Sequence, residues 1–313
     1  MYSLTGLSKN AASGPIKNAA PDPAPAEENM AAYVGLVGAT VAVSFSAILI
    51  SLSTAPPLVI ASYRMAISTA LVLALSRGRA LAGLRRLTRR DWALLCGSGL
   101  SLALHFALWT ASLKYTSVAS SVLFVTVHPA LVAAIAWALF GERLAAWRLV
   151  GLALSLAGSA VIATGDLRLG GPALGGDLLA LGGAVVFTGY LLIGRSVRQR
   201  LHFLSYSLAV YAVCTLLLAA LALGTGEGLA PGRPRDLWLY VGLAVVCTLG
   251  GHSVYNWTLR YLRAAIVSVS FLGEPVLAAA LAWPLLGQPV PPLTLLGGVI
   301  VLGGVYLAAR PGR

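Results

Sequence analysis

Two ionisable side chains, each followed directly by proline, lie in the middle of long apolar runs. They are Glu274 before Pro275 and His128 before Pro129, and they are 146 positions apart. A carboxylate near the centre of a bilayer costs several kcal/mol unless it is paired, protonated or facing water. Glu274 could therefore line a substrate path, bind an ammonium group or take up a coupling proton. His128 could relay protons because imidazole titrates near neutrality, or it could be a packing residue with satisfied hydrogen bonds.

The two apolar runs are predicted to be helices that position these groups, and each helix is interrupted by its proline. Proline cannot donate a backbone hydrogen bond, so Pro275 is predicted to free the carbonyl of Phe271. In the same way, His128 is predicted to meet carbonyls freed beside Pro129. A non-ideal backbone at membrane depth is tolerated only against protein or a wet cavity. The sequence therefore predicts that these helices face a polar interior.

Seven further side chains in apolar runs are candidate substrate contacts. They are His105, Trp109, Tyr255, Asn256, Arg64, Tyr190 and Ser44. His105 and Trp109 are one helical turn apart, so they share a face. Tyr255 and Asn256 form a similar polar and aromatic patch with His252. Aromatic rings with a polar edge suit a cavity for an amino acid or an aromatic metabolite.

Each of these residues also has a structural interpretation. The planar donors of Arg64 suit a substrate carboxylate, but they could instead pair with Glu274 or clamp backbone carbonyls. Trp109 and Tyr255 could be interface anchors, because aromatic residues gather near the ends of membrane spans. Hydrogen bonds between helices are the alternative for the remaining hydroxyl groups.

The composition is that of a polytopic, all-α membrane protein. Of the 313 residues, 58% are hydrophobic and 10% are charged, whereas a soluble domain carries roughly 25% charged residues. The net charge of +12 comes without an aromatic-basic nucleic-acid motif, so no nucleic-acid partner is expected. The three cysteines form no CxxC pair, and neither a disulfide framework nor a metal site is expected.

Ten apolar segments are long enough to be predicted as transmembrane helices. Their approximate ranges are 33–52, 57–76, 92–112, 118–140, 146–163, 177–196, 203–223, 237–259, 264–286 and 291–309. The offset of 146 also relates Trp137 to Trp283 and Gly151 to Gly297, and it carries the third segment onto the eighth. A shift by an odd number of spans reverses the direction of entry. The sequence therefore predicts two inverted five-helix repeats.

The basic residues predict the orientation. Seventeen of the 22 lysines and arginines lie in segments on the side of the N-terminus, and four lie on the other side. Both termini are therefore predicted to be cytoplasmic. Residues 1–30 contain several prolines and no apolar signal-peptide core, so they are predicted to be a disordered cytoplasmic tail. The excess of arginine over lysine, with abundant alanine, glycine and leucine, indicates a high-GC bacterium and favours its plasma membrane.

Familiar catalytic motifs are missing from the sequence. It contains no His-Glu-x-x-His zinc site, no Gly-x-Ser-x-Gly elbow and no phosphate-binding loop. An enzyme, a catalytic residue and a cofactor are therefore not expected, and ATP is not the expected energy source. The rival interpretation is an intramembrane enzyme that acts on a lipid-linked substrate with Glu274 or His128 as the base. Such an enzyme would turn over substrate in detergent, whereas a carrier functions only across a sealed membrane.

A charged turn and a glycine-rich helix follow the first proline-containing helix. They read Phe140-Gly141-Glu142-Arg143-Leu144, then Trp147, Gly151 and Gly158. This order resembles a signature of the EamA-type drug/metabolite transporter superfamily, and the resemblance covers about residues 33–309. The second half departs from the signature, because Gly287-Gln288-Pro289-Val290 replaces the charged turn.

The resemblance implies a ten-helix carrier of small metabolites, which are often moved outward. YddG-like exporters of amino acids are characterised look-alikes. The two EamA-like repeats would occupy residues 31–165 and 175–310, around a midplane cavity that opens alternately to each side. The expected partners are a small-molecule substrate such as an amino acid, membrane lipid and, if transport is coupled, a proton. No oligomeric state is assigned from the sequence.

Overall fold

The computed structural model describes residues 30–85, 87–140, 145–164, 172–287 and 292–309, and every regular element in these ranges is helical. The predicted tail, except for Met30, and the charged turn at 141–144 lie outside the described residues. The helices in chain order are α1 (Met30–Leu52), α2 (Pro57–Ser76), α3 (Arg79–Leu84), α4 (Arg89–Ser112), α5 (Val118–Val125), α6 (His128–Phe140), α7 (Ala146–Thr164), α8 (Pro172–Arg198), α9 (Phe203–Gly224), α10 (Pro234–Gly242), α11 (Val254–Thr258), α12 (Ala264–Ser270), α13 (Glu274–Leu286) and α14 (Pro292–Ala309). A π-helical segment, Leu243–Ser253, joins α10 to α11, and a 3₁₀ turn, Phe271–Gly273, joins α12 to α13.

Eight helical stretches in the described part of the chain are long and apolar enough to cross a membrane. Two shorter apolar helices, Ala146–Val161 and Leu295–Ala308, lie within α7 and α14. The outer surface is apolar as well: Trp283 is 65% exposed and Tyr306 is 76% exposed. An apolar exterior of this kind suits lipid and not water. The protein is therefore a multi-pass membrane protein, and the count of ten spans stays a prediction.

The helix ends use ordinary capping. At the start of α4, the N–H of Asp91 donates to Thr88 Oγ1 at 3.2 Å, and the N–H of Thr88 donates to Asp91 Oδ2 at 3.0 Å. At the start of α5, the N–H of Ser120 donates to Ser117 Oγ at 3.1 Å. Pro57 occupies the first turn of α2, where a backbone N–H is not needed. Inside the spans the backbone pairs with itself, because lipid offers it no partner.

The helices pair across the bundle in a regular pattern. The most extensive contacts are those of α7 with α14, α4 with α8, α2 with α9, and α1 with the π-helical segment. In addition, α6 packs on α12 and α5 packs on α13. The offset of 146 relates α1 to α8 and α4 to the stretch from α10 to α11. If each helix is replaced by its equivalent at the offset of 146, the same set of packed pairs results.

Two hydrogen bonds join residues that are 146 positions apart. The hydroxyl oxygens of Thr69 on α2 and Thr215 on α9 are 3.2 Å apart. Ser155 Oγ on α7 donates to the carbonyl oxygen of Val301 on α14, also at 3.2 Å. In an assembly with two-fold symmetry, equivalent residues meet each other only near the axis. Both contacts therefore lie where such an axis would pass.

The contact between α7 and α14 depends on glycine. A Cβ on Gly151 would lie 2.6 Å from the carbonyl oxygen of Gly304, and a Cβ on Gly158 would lie 2.7 Å from that of Gly297. Small residues of this kind let two helix backbones approach closely. The later residue of α7 meets the earlier residue of α14, so the two helices run antiparallel.

Candidate functional site

A small cavity lined by buried residues lies between α1, α4, α8, the π-helical segment and the junctions of α5 with α6 and of α12 with α13. Its volume is ≈ 20 Å³, which is room for about one water molecule. Its polar lining consists of Ser46, His105, Thr126, His128, His252 and Glu274, and its apolar lining of Val43, Trp109, Val125, Phe187 and Phe271. One carboxylate and three imidazoles thus face a space that is otherwise aromatic and aliphatic.

Four of the nine predicted contacts line this cavity: Glu274, His128, His105 and Trp109. Glu274, at the start of α13, is 5% exposed. No described residue donates a hydrogen bond to its carboxylate or forms an ion pair with it. A buried carboxylate in this situation can take up a proton or bind a cation such as an ammonium group.

His128 closes the gap that Pro129 leaves in the backbone. Its Nδ1 lies 2.9 Å from the carbonyl oxygen of Val125, and a carbonyl only accepts, so Nδ1 carries a hydrogen and donates it. Val125 lies four residues before Pro129, so its carbonyl is the one that the proline frees. Nε2 of His128 is buried without a partner. In the neutral ring, Nε2 holds a lone pair that can accept a proton or a donor.

The carbonyl of Phe271 is not free, and the expectation drawn from Pro275 is wrong on this point. The chain tightens into the 3₁₀ turn, and the N–H of Glu274 donates to the Phe271 carbonyl. This bond to the residue three positions earlier replaces the one that proline cannot make. The Phe271 ring lies in the cavity wall and stacks on Tyr255, with the ring centroids 3.9 Å apart.

His105 and Trp109 share a face of α4, as their spacing predicts. Their rings stack with centroids 5.9 Å apart and an angle of 11° between the planes. His105 Nδ1 lies 3.1 Å from the carbonyl oxygen of Gly183 on α8 and must donate to it. The indole Nε1 of Trp109 is buried without a partner. This group can only donate, so an acceptor on a ligand would satisfy it.

Phe187 on α8 is the centre of the aromatic packing, and no sequence signal identifies it. Its ring centroid is 4.5 Å from that of His105, 4.9 Å from that of His128 and 5.9 Å from that of His252. An apolar aromatic residue inside an apolar span does not differ from its neighbours. The structure therefore adds Phe187, together with Phe271, to the cavity wall.

Four predicted contacts form hydrogen bonds outside the cavity lining. The hydroxyl of Tyr190 donates to Asn256 Oδ1 at 2.9 Å. The Tyr255 hydroxyl and Thr40 Oγ1 are 2.8 Å apart. Ser44 Oγ donates to the backbone carbonyl of Thr40 at 2.7 Å. The Tyr190 bond joins α8 to α11, and the Tyr255 bond joins α11 to α1. The Ser44 bond lies within α1, so of Tyr190 and Ser44 only Tyr190 forms the bond between helices that the structural interpretation expects.

Arg64, the ninth predicted contact, also lies outside the lining. It is 1% exposed, and its Nε donates to Thr248 Oγ1 in the π-helical segment at 2.8 Å. Within the described part of the chain, no ion pair joins Arg64 to Glu274. The buried pair considered from the sequence is therefore not formed in this conformation.

The three imidazoles at the cavity do not point to a metal site. In the ranges that the structure describes, no group of three or more His, Cys, Asp or Glu side chains could hold a metal ion. Two of the imidazoles already use Nδ1 for a backbone carbonyl. The arrangement suits the binding of a proton or an ammonium group instead.

Proteins with similar sequences are described as transporters or as a probable exporter. The profile of the EamA-like transporter family matches residues 30–164 and 174–310. An uncharacterized transporter of Archaeoglobus fulgidus is 25% identical, over 84% of this chain and 91% of that protein. A probable terminal-alkyne amino-acid exporter of Streptantibioticus cattleyicolor is 28% identical, over 73% of this chain and 76% of that protein.

A solved crystal structure shares the fold. Its TM-score is 0.73 at 20% sequence identity, and the match covers 89% of this chain and 96% of that one. The two family matches together span most of the chain, and each of them covers one of the two series of helices that carry the cavity residues. The chain therefore belongs to the EamA-like transporter family of the drug/metabolite transporter superfamily, and it is a membrane transporter.

Proposed function

We propose that this transporter is a secondary carrier that exports small metabolites such as amino acids across the bacterial plasma membrane. The Streptantibioticus cattleyicolor relative, a probable amino-acid exporter that is 28% identical, supports this substrate class. The cavity supports it chemically. The carboxylate of Glu274 suits the ammonium group of an amino acid, and the aromatic and aliphatic wall suits a side chain.

The observation that carries the proposal is the small cavity of buried residues around Glu274. A volume of ≈ 20 Å³ does not admit an amino acid, so a substrate enters only after helices on one side separate. The cavity must then close and open on the other side, which is alternating access. The interruptions between α5 and α6 and between α12 and α13 lie directly beside the cavity, and helices bend most readily at such places.

Proton coupling is the second part of the proposal. Glu274 and the free Nε2 of His128 face the same cavity, and both can exchange a proton. In an exporter driven by the proton gradient, a proton that enters would replace the substrate that leaves. Since no residue that the structure describes forms a hydrogen bond with the Glu274 carboxylate, either occupant can bind this group.

Two inverted five-helix repeats, at 31–165 and 175–310, form the architecture that we propose for this carrier, with ten membrane spans. The antiparallel contact of α7 with α14 supports inversion, because these helices are equivalent under the offset of 146. The contact of Thr69 with Thr215 supports a two-fold axis between the halves.

We propose that both termini are cytoplasmic. The basic residues support it. A single cysteine in place of Gly226 should react with a membrane-impermeant maleimide in intact cells, whereas a cysteine in place of Gly78 should react only after permeabilisation. The reverse pattern would refute the orientation.

Counterflow in proteoliposomes is the direct test of the carrier. Vesicles with the full-length protein are loaded with one unlabelled amino acid and exposed to the same labelled amino acid. Label should accumulate in these vesicles and not in protein-free vesicles, because alternating access exchanges the two pools without any driving force. Failure of every member of a broad metabolite panel, with protein shown to be folded, would refute the proposal.

A further inference from the structure

The guanidinium group of Arg64 is buried and only partly satisfied. Nε is bonded to Thr248, but the two terminal nitrogens are buried and have no hydrogen-bond partner. Thr248 also donates its own hydroxyl hydrogen to the Leu243 carbonyl at 3.0 Å. A buried guanidinium whose two terminal nitrogens lack acceptors is costly, since these N–H groups have lost their hydration and gained no hydrogen bond in return. The site therefore lacks an acceptor for two parallel N–H groups.

Arg64 lies in the layer directly behind the cavity wall. Its Cζ is 4.3 Å from the centroid of the Phe106 ring. The same ring makes an edge contact with His252, with centroids 5.5 Å apart, and His252 lines the cavity. A cation over an aromatic face is attracted to it, but this contact fills none of the hydrogen-bonding capacity of the guanidinium.

A second unpartnered donor lies in the cavity wall. The indole Nε1 of Trp109 is buried without an acceptor, and Trp109 lies one turn along α4 from the cavity residue His105. Unsatisfied buried polar groups are rare in native proteins. Among the described residues, Arg64 and Trp109 thus offer donors that lack acceptors, and the nearby Glu274 offers a carboxylate that lacks a donor. These groups are complementary to a zwitterion, which carries one carboxylate and one ammonium group.

We propose that Arg64 is the carboxylate subsite of the transported substrate. The proposal rests on the carrier function proposed above and narrows its substrates to zwitterions. A guanidinium binds a carboxylate through two parallel hydrogen bonds, which are stronger and more directional than bonds between neutral groups. The ammonium group of the same molecule binds Glu274. In this conformation Arg64 lies outside the cavity lining, against Phe106, which in turn contacts His252. The carboxylate would therefore reach Arg64 when the Phe106 ring on α4 moves away from His252.

The test compares two probes that differ only in the carboxylate. All twenty common L-amino acids are first screened against the full-length protein in detergent by isothermal titration calorimetry. The amino acid that binds best is then compared with its own carboxamide, which keeps the ammonium group and the side chain. The wild type should bind the acid about 30-fold more tightly than the amide, because the amide leaves the buried cation unpaired.

Variants assign this preference to Arg64. Arg64→Lys keeps the charge but loses the planar pair of donors, so the preference for the acid should fall to about threefold. Arg64→Met should lose it, with binding of the amide unchanged. Thr248→Val removes the bond that orients Nε and should weaken binding of the acid alone, which provides a milder variant if changes at Arg64 prevent folding. Arg79→Met, at an exposed arginine, should keep the full preference.

Three results would overturn the subsite, and they differ in what they leave standing. Equal binding of acid and amide by the wild type, or an undiminished preference in the folded Arg64 and Thr248 variants, would refute the subsite and leave the carrier intact. Binding of none of the twenty amino acids would refute the zwitterion itself. Absence of counterflow, in contrast, refutes the proposed function directly.

Discussion

The substitution Gly304→Ala should weaken the contact between α7 and α14. A Cβ at Gly304 would lie 2.6 Å from the carbonyl oxygen of Gly151 and 2.7 Å from the backbone nitrogen of Ser155. Ordinary contacts begin at 3.4 Å, so the two backbones would have to separate by about 0.8 Å at this point. Backbone atoms cannot rotate away as the end of a side chain can. The strain therefore spreads along both helices.

The neighbouring residue Gly303 is the matched control, and comparison with it gives the destabilisation that the strain causes. A Cβ at Gly303 would meet no atom within 4 Å, and alanine replaces glycine in the same helix in both variants. The gain of up to about 1 kcal/mol in helix propensity therefore cancels in the comparison. Overpacking then lowers the stability of Gly304→Ala by about 1–3 kcal/mol relative to Gly303→Ala. This corresponds to about 2–10 °C in melting temperature.

The assay is thermal unfolding of both variants in the same detergent, followed by tryptophan fluorescence or by the onset of aggregation. The contact lies away from the cavity, so binding of substrate by the folded Gly304→Ala variant should change less than its stability. Equal melting temperatures for the two variants would refute the close approach of α7 and α14. They would also remove the main support for the antiparallel relation of the two halves.

Three further changes test the cavity and a helix end. Glu274→Gln should abolish flux driven by a pH gradient, because the amide keeps the shape of the side chain but cannot bind the proton. Counterflow should weaken as well, since the amide lacks the charge that binds the ammonium group of the substrate. Phe187→Ala should lower the free energy of unfolding by about 3–5 kcal/mol, since the ring is buried among three imidazoles; denaturation in detergent measures it. His202→Asn should reduce the loss of stability in acid. Partial burial and nearby arginines lower the pKa of His202, so the unfolded chain binds the proton more readily and stability falls with the pH. Melting temperatures at about pH 8 and about pH 5 measure this effect.

Each of these three predictions has a control or an outcome that contradicts it. A Glu274→Gln variant with the wild-type response to a pH gradient would exclude Glu274 as the coupling site. Val185→Ala on the same helix as Phe187 removes an exposed side chain, and it should have little effect; equal losses would contradict the central place of Phe187. His202 accepts a hydrogen bond from the N–H of Leu204 as the cap of α9. Asparagine can replace this acceptor without titrating, so an unchanged pH dependence would refute the role of His202.

The sequence identified the cavity residues whose chemistry contrasts with their surroundings. Glu274 and His128 are ionisable groups beside proline in apolar runs, and both line the cavity. Charge in lipid is expensive enough to predict an inward position by itself. The helical spacing of His105 and Trp109 predicted a shared face, and their rings stack. These features are local, so a sequence can reveal them.

Residues that act through packing could not be predicted in this way. Phe187 is one apolar ring among many, and its position among three imidazoles depends on how α8 packs against α4 and α6. Ser44 and Ser46 show the same limit on a single helix. Ser46 lines the cavity, whereas the predicted Ser44 bonds to the carbonyl of Thr40. Two residues turn a helix by about 200°, so the choice depends on the rotation of α1, which only tertiary contacts determine.

Local changes in helical winding could not be predicted from the sequence for a related reason. The expectation that Pro275 leaves the Phe271 carbonyl free assumes an ideal α-helix, but a 3₁₀ turn repairs the bond over three residues. The π-helical segment at Leu243–Ser253 has no marker comparable to proline. Small changes in helical winding cost little and are chosen by the neighbouring helices.

The small size of the cavity has a consequence for the membrane around it. A space of ≈ 20 Å³ holds about one water molecule, and a single molecule cannot form a continuous file across the bilayer. Within the part of the chain that the structure describes, this cavity therefore provides no continuous hydrated path across the bilayer. If the proposed carrier rests in this conformation, the cavity alone would not let ions leak and dissipate a membrane potential.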